Sequence, residues 1–110
     1  HQGTAELAEK NFKLVTGAPG TYQVISQDAG KFLSNSSKTQ FDIIFLDPPY
    51  EVSNAEIEKL LSAISEHNFL KNNGVIAVER ESRSKEFNWP APLMGSKVRA
   101  YGQGSIYYGG

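Results

Sequence analysis

The sequence predicts an α/β fold: a mostly parallel sheet closed by an antiparallel hairpin at its C-terminal end. Three observations carry that expectation. Phe41 to Leu46 is a run without polar–apolar alternation, which suits a strand covered by helices on both faces. Ile57, Leu60, Leu61 and Ile64 recur at i, i+3, i+4 and i+7, the spacing of one helix face. Helical and strand-like segments alternate along the chain, as βαβ units require.

Taken in order, Ala5, Ala8, Phe12 and Val15 recur at helical spacing, with Leu7 and Leu14 beside them, and predict an amphipathic helix over 4–15. Gly17, Pro19 and Gly20 end it. Tyr22 to Ser26 is a short β-prone run, Asp28-Ala29-Gly30 the loop after it, and Phe32 and Leu33 sit on a helical turn before the polar loop Ser34 to Gln40. The strand Phe41 to Leu46 follows. Ser53 or Asn54 caps the next helix, which runs to about His67. Asn72-Asn73-Gly74 makes a turn and Val75 to Val78 a buried strand. Val98 to Tyr101 and Ser105 to Tyr108 pair as a hairpin around Gly102-Gln103-Gly104. No repeat or linker divides the chain, so residues 1–110 read as part of one domain. Opening on a helix, with three or so buried strands, leaves a central strand edge unpaired, and implies that N-terminal strands are missing.

Composition narrows the function classes. Apolar residues make up 39% and charged residues 21%, a globular rather than a disordered balance. There is no cysteine, hence no disulfide framework or thiolate metal site, and a cytoplasmic location is expected. No apolar run is long enough to span a bilayer, so no membrane partner is expected. His1 and His67 have no second ligand at metal spacing, and no metal is expected. The net charge is −1, but residues 71–110 hold six basic residues, Lys71, Arg80, Arg83, Lys85, Lys97 and Arg99, against three glutamates. Arg80, Arg83, Lys97 and Arg99 are candidates for meeting nucleic-acid phosphates, with a solvated surface as the plain alternative.

The informative residues are Asp47-Pro48-Pro49-Tyr50, directly after the buried strand. In an open α/β sheet, ligands bind beyond the carboxyl ends of the strands. Two prolines fix the backbone and remove two N–H donors, leaving carbonyls as acceptors. A base's exocyclic amine is a poor nucleophile because its lone pair is delocalised into the ring. If the Asp47 side chain and the Pro48 carbonyl each accept one N–H, the nitrogen can turn tetrahedral with its lone pair aimed at a methyl donor. Tyr50 adds a face for the base to stack on, typically worth about 1–3 kcal/mol.

Phe41 to Tyr50 resembles motif IV of the amino-group methyltransferases, in which Asp or Asn, Pro, Pro and an aromatic follow one another. Asp28-Ala29, Phe32-Leu33, Gly74 to Glu79, Trp89 and Tyr101-Gly102 extend the likeness over nearly the whole chain, and together it resembles the bacterial 16S ribosomal RNA guanine-N2 methyltransferase family. That resemblance implies a Rossmann-like class I methyltransferase sheet, S-adenosylmethionine as cofactor, and ribosomal RNA or the small ribosomal subunit as partner. It assigns Asp47, Pro48, Pro49 and Tyr50 to catalysis, and Asp28 and Ala29 to the cofactor's adenine. The family's glycine-rich cofactor loop has no counterpart here, since Gly17-Ala18-Pro19-Gly20 precedes a strand.

Two other readings stay open. An adenine-N6 DNA methyltransferase uses the same acceptors. A catalytically inert fragment without the cofactor loop would self-associate through its exposed strand edge. Glu79 stands at the edge of the site or in solvent, and Trp89, between Asn88 and Pro90, is expected to pack on the core as a lid.

Overall fold

The computed structural model describes residues 13–17, 25–28, 40–49 and 51–110. The expected helical turn at Phe32 and Leu33 and most of the first helix lie outside these residues. Among the described residues six strands form one sheet: β1 (Lys13–Gly17), β2 (Ile25–Asp28), β3 (Phe41–Asp47), β4 (Leu70–Glu81), β5 (Gly95–Tyr101) and β6 (Gly104–Gly109), in the order β2-β1-β3-β4-β6-β5. The helix α1 (Asn54–Glu66) crosses between β3 and β4, the one parallel pair among the described strands. The expected α/β class and antiparallel C-terminal hairpin are both present. Parallel pairing is confined to the centre of the sheet.

Lys13 to Val15 do not continue a helix. They lie in β1, antiparallel to both β2 and β3. Leu14, Val15 and Thr16 fit a pleated strand as well as a helix end, and β1 satisfies the backbone groups along one edge of β3. Asp28 is the last residue of β2 rather than the first of a loop.

Helix α1 begins as the sequence indicates. Ser53 Oγ accepts from Glu56 N (3.1 Å), and Glu56 Oε1 accepts in return from Ser53 N (2.9 Å), a reciprocal cap. It ends on Asn68, whose φ of +57° turns the chain left-handed. Asn68 N then donates to Ser65 O and Phe69 N to Ile64 O, both at 3.1 Å, satisfying two carbonyls of the last turn. Ile57, Leu60, Leu61 and Ile64 are fully buried against Ile44, Leu46, Ile76 and Val78 of the sheet.

Asn72-Asn73-Gly74 does not separate two elements. It bulges out of β4, because Phe41 pairs with Leu70 while Ile43 pairs with Val75. Asn73 takes φ +65°, and a Cβ at Gly74 would lie 2.7 Å from Leu70 Cδ1. Residues 82–94 strap across α1, tied by Asn54 Nδ2 to Lys85 O (2.9 Å) and by Asn88 N to Glu58 Oε2 (2.8 Å), with Phe87 and Leu93 in the core. Trp89 packs on this core against Phe87, as expected of a lid. The β5–β6 turn is Gly102-Gln103, and Gly102 adopts φ +48°, which favours glycine.

Among the described residues, the face of β3 and β4 that meets α1 is fully buried at Ile44, Leu46, Ile76 and Val78, and the opposite face is not. Ile43 and Val75 are about two-fifths exposed, at 40% and 39%, and Phe45 is half-buried, so β3 is not covered on both sides as its composition suggests. No helix among the described residues is long and apolar enough to cross a membrane.

Candidate active site

The parallel register of β3 and β4 sets the geometry of the site. Leu46 pairs with Val78, both in the core, so the next residues, Asp47 and Glu79, emerge side by side on the opposite face. They open into a cleft of about 270 Å³ at the carboxyl ends of the two strands, lined also by Pro48, Tyr101 and Gln103. This is where the sheet's topology leads one to look for a ligand.

The two prolines have different duties. Pro49 O accepts from Val52 N at 3.1 Å and closes a tight turn. Among the described residues no donor reaches the Pro48 carbonyl, which remains the acceptor available beside the exposed Asp47 side chain. Pro48 itself is buried, so the rigid segment is anchored rather than hanging from the sheet.

The turn is secured from behind by Arg80. Its Nη2 donates to Val52 O (3.1 Å) and to Asn54 Oδ1 (3.0 Å), linking β4 to the motif and to the start of α1. Arg80 is 7% exposed and turns its Nη2 inward to these acceptors, rather than standing on a solvated face as its charge alone suggests. Burial lowers its pKa from the ordinary value, with Tyr107 acting in the opposite sense, and its Nε has no partner among the described residues. The signal for this role is in the sequence: a period of two puts Arg80 on the face of Ile76 and Val78, and Glu79 on the other.

Glu79 accepts a hydrogen bond from the Tyr101 hydroxyl. The two residues are not neighbours in the sheet, since β6 runs between β4 and β5. Tyr101 reaches across because residue 104 is glycine: a Cβ there would stand 3.1 Å from the Tyr101 ring and hydroxyl. This contact was not legible in the sequence. Lys97 and Arg99 are exposed on β5, on the same face as Tyr101, and Lys97 Nζ stands 5.1 Å from the Tyr108 ring centroid. Arg83 is exposed as well.

Of the remaining expected residues, Tyr50 and Ala29 lie outside the described residues. Asp28 pairs with Lys13, and Lys13 with Asp47, so Asp28 occupies the same cross-strand row as the motif. No three described residues cluster as ligands for a metal ion. A larger cavity, about 520 Å³, lies at the other end of β4 around Leu70, Gly74 and Met94, away from the motif, and Lys71 is the one titratable residue in its lining.

Comparison with known proteins bears on the family and the fold. Residues 2–109 match the family described as "Conserved hypothetical protein 95". The chain is 35% identical over 78 residues to ribosomal RNA small subunit methyltransferase D of Haemophilus influenzae, which covers 70% of this chain and 39% of that protein. A crystal structure described as a methylase from the same organism superposes with a TM-score of 0.59 at 32% identity, over 76% of this chain and 50% of that one. A structure from Escherichia coli, at 23% identity, shares the fold with a TM-score of 0.63, over 83% of this chain and 50% of that one. The chain thus spans half or less of the length of these relatives.

Proposed function

Since the chain belongs to the family described as conserved hypothetical protein 95, we propose that its protein transfers a methyl group from S-adenosylmethionine to the exocyclic amine of a base, guanine N2 in small-subunit ribosomal RNA in the cytoplasm. The observation that carries this is the acceptor pair at the end of β3: the exposed Asp47 side chain beside a Pro48 carbonyl whose neighbour, Pro49 O, is already committed to its turn. The resemblance to a ribosomal RNA methyltransferase supports the choice of RNA over DNA.

The chemistry follows from those acceptors. The base is turned out of its stack, and its amine places one N–H on Asp47 and one on Pro48 O. Both bonds favour a tetrahedral nitrogen and hold its lone pair away from the ring. S-adenosylmethionine, when bound, would supply an electrophilic methyl carbon on a sulfonium whose sulfur can keep the electrons of the C–S bond. The new C–N bond uses the amine's lone pair, and the proton that nitrogen sheds passes to the Asp47 carboxylate and on to water. Alignment is the main contribution, and in favourable systems it supplies about 7–11 kcal/mol.

The test is methyl transfer from labelled S-adenosylmethionine to small-subunit ribosomal RNA and particles, with the product base identified after digestion. N2-methylguanine is the expected product. Asp47→Ala lowers kcat by about 10²–10³-fold, by analogy with the loss of one group that stabilises a transition state, and leaves cofactor affinity unchanged. An equal loss of cofactor binding would refute this division of roles. Label appearing solely in adenine of duplex DNA would overturn the substrate.

A further inference from the structure

We propose that Glu79, held by Tyr101, reads the identity of the base: its carboxylate accepts the ring N1–H of guanine next to the amine held by Asp47 and Pro48. This inference rests on the methyl-transfer reading above and adds to it the residue that separates guanine from other amino bases. The acceptor pair alone cannot make that distinction. Guanine N2, adenine N6 and cytosine N4 each offer two N–H groups to the same acceptors.

What differs is the atom beside the amine. In guanine the neighbouring ring nitrogen carries a hydrogen and the next position is a carbonyl oxygen, so the edge runs donor, donor, acceptor. In adenine and cytosine the neighbouring ring nitrogen is a bare acceptor. The cleft offers a row of matching order. Asp47 and Pro48 O are acceptors on β3, Glu79 follows on β4 in the adjacent register position, and the Tyr101 hydroxyl lies beyond it. An ionised carboxylate can only accept hydrogen bonds. Facing the N1 lone pair of adenine or the N3 lone pair of cytosine, Glu79 would be repelled.

Tyr101 gives Glu79 a fixed direction. Its hydroxyl donates to one carboxylate oxygen, Oε2, across a strand that lies between them, and Gly104 is the residue that leaves room for the ring. A tyrosine serving only the hairpin would not need to cross β6 to the motif's neighbour.

The decisive substrate is an RNA whose target guanine is replaced by 2-aminopurine, which keeps the 2-amine but presents a bare N1 and no carbonyl. The protein as it exists in the cell should prefer guanine by about 10- to 100-fold in kcat/KM, the range for one charge-assisted hydrogen bond left unmade. Glu79→Gln should shrink that preference about tenfold or more, because an amide can accept from guanine N1–H or donate to the bare N1 of 2-aminopurine. Tyr101→Phe, which removes only the hydroxyl, should narrow it in the same direction. A purely structural role would change turnover on both substrates alike and leave their ratio untouched. An unchanged ratio in Glu79→Gln overturns the inference while leaving methyl transfer to guanine standing. Should Glu79→Gln fail to fold, a ratio near one in the unmodified protein overturns it equally well. No transfer to any guanine, or transfer to adenine alone, removes the underlying reading and this inference with it.

Discussion

Replacing Arg80 with methionine puts a buried charge and the bonds it makes in direct competition. The guanidinium donates to Val52 O and Asn54 Oδ1, at 3.1 and 3.0 Å, and hydrogen bonds from a charged donor contribute about 1.5–3 kcal/mol each. Against them stands the desolvation of a group that is 7% exposed and whose Nε meets no described partner. Methionine removes that desolvation cost and keeps most of the apolar volume. It also strands the carbonyl of Val52, a residue 1% exposed, at a cost of about 1–3 kcal/mol. Asn54 suffers less, since it is half-exposed and its amide still donates to Lys85 O. The stranded carbonyl decides the balance, so Arg80→Met is expected to lose about 1–3 kcal/mol, or roughly 5–20 °C in melting temperature for a domain of this size. Urea unfolding followed by far-ultraviolet circular dichroism measures it, as a lower midpoint at unchanged slope. A variant as stable as the parent, or more so, would refute the reasoning and show that desolvation outweighs both bonds.

Other outcomes follow from the surface and the packing. Lys97→Gln with Arg99→Gln should reduce the slope of log affinity against log salt for single-stranded RNA by about 1.4, because two fewer phosphates are neutralised, as read by fluorescence anisotropy of a labelled RNA. An unchanged slope would leave these side chains as solvated surface. Gly109→Ala places a Cβ 2.7 Å from Met94 O and 2.8 Å from the Trp89 ring, and should cost about 1–3 kcal/mol by overpacking. Differential scanning calorimetry checks this, and an unshifted transition would mean that the strap yields freely.

Much of the centre of the fold is legible from local patterns. Ser53 followed by Glu56 announces the start of α1, and Ile57, Leu60, Leu61 and Ile64 give its buried face. Phe41 to Leu46 reads as a strand from composition, yet its second face proves partly open, because apolar residues at Ile43 and Phe45 say that a face can be covered and not that it is. Leu14 and Val15 satisfy helix and strand periods equally over so few residues, and pairing with β3 decides for the strand. Asn72-Asn73-Gly74 has turn chemistry, and uses it as a bulge within a continuous strand. At the site, Asp47 and Pro48 stand where the motif puts them, whereas the Arg80 tether needed the alternation of β4 to be followed one residue further. The reach of Tyr101 to Glu79 depends on a strand order that no short stretch of sequence encodes.

Trp89 is the chain's one tryptophan, its ring 5.2 Å from that of Phe87 and laid over Gly95 and Gly109. Selective excitation of the indole therefore interrogates a single place: the contact of the 82–94 strap with the last strands. Its emission reports whether that strap is seated, while circular dichroism reports the sheet and α1 as a whole. Because Trp89 lies outside the lining of the cleft at Asp47, a base entering there leaves the indole untouched. A spectral change on adding RNA would thus register an event at the strap and the last strands rather than at the cleft, and the protein carries that optical gauge without any label.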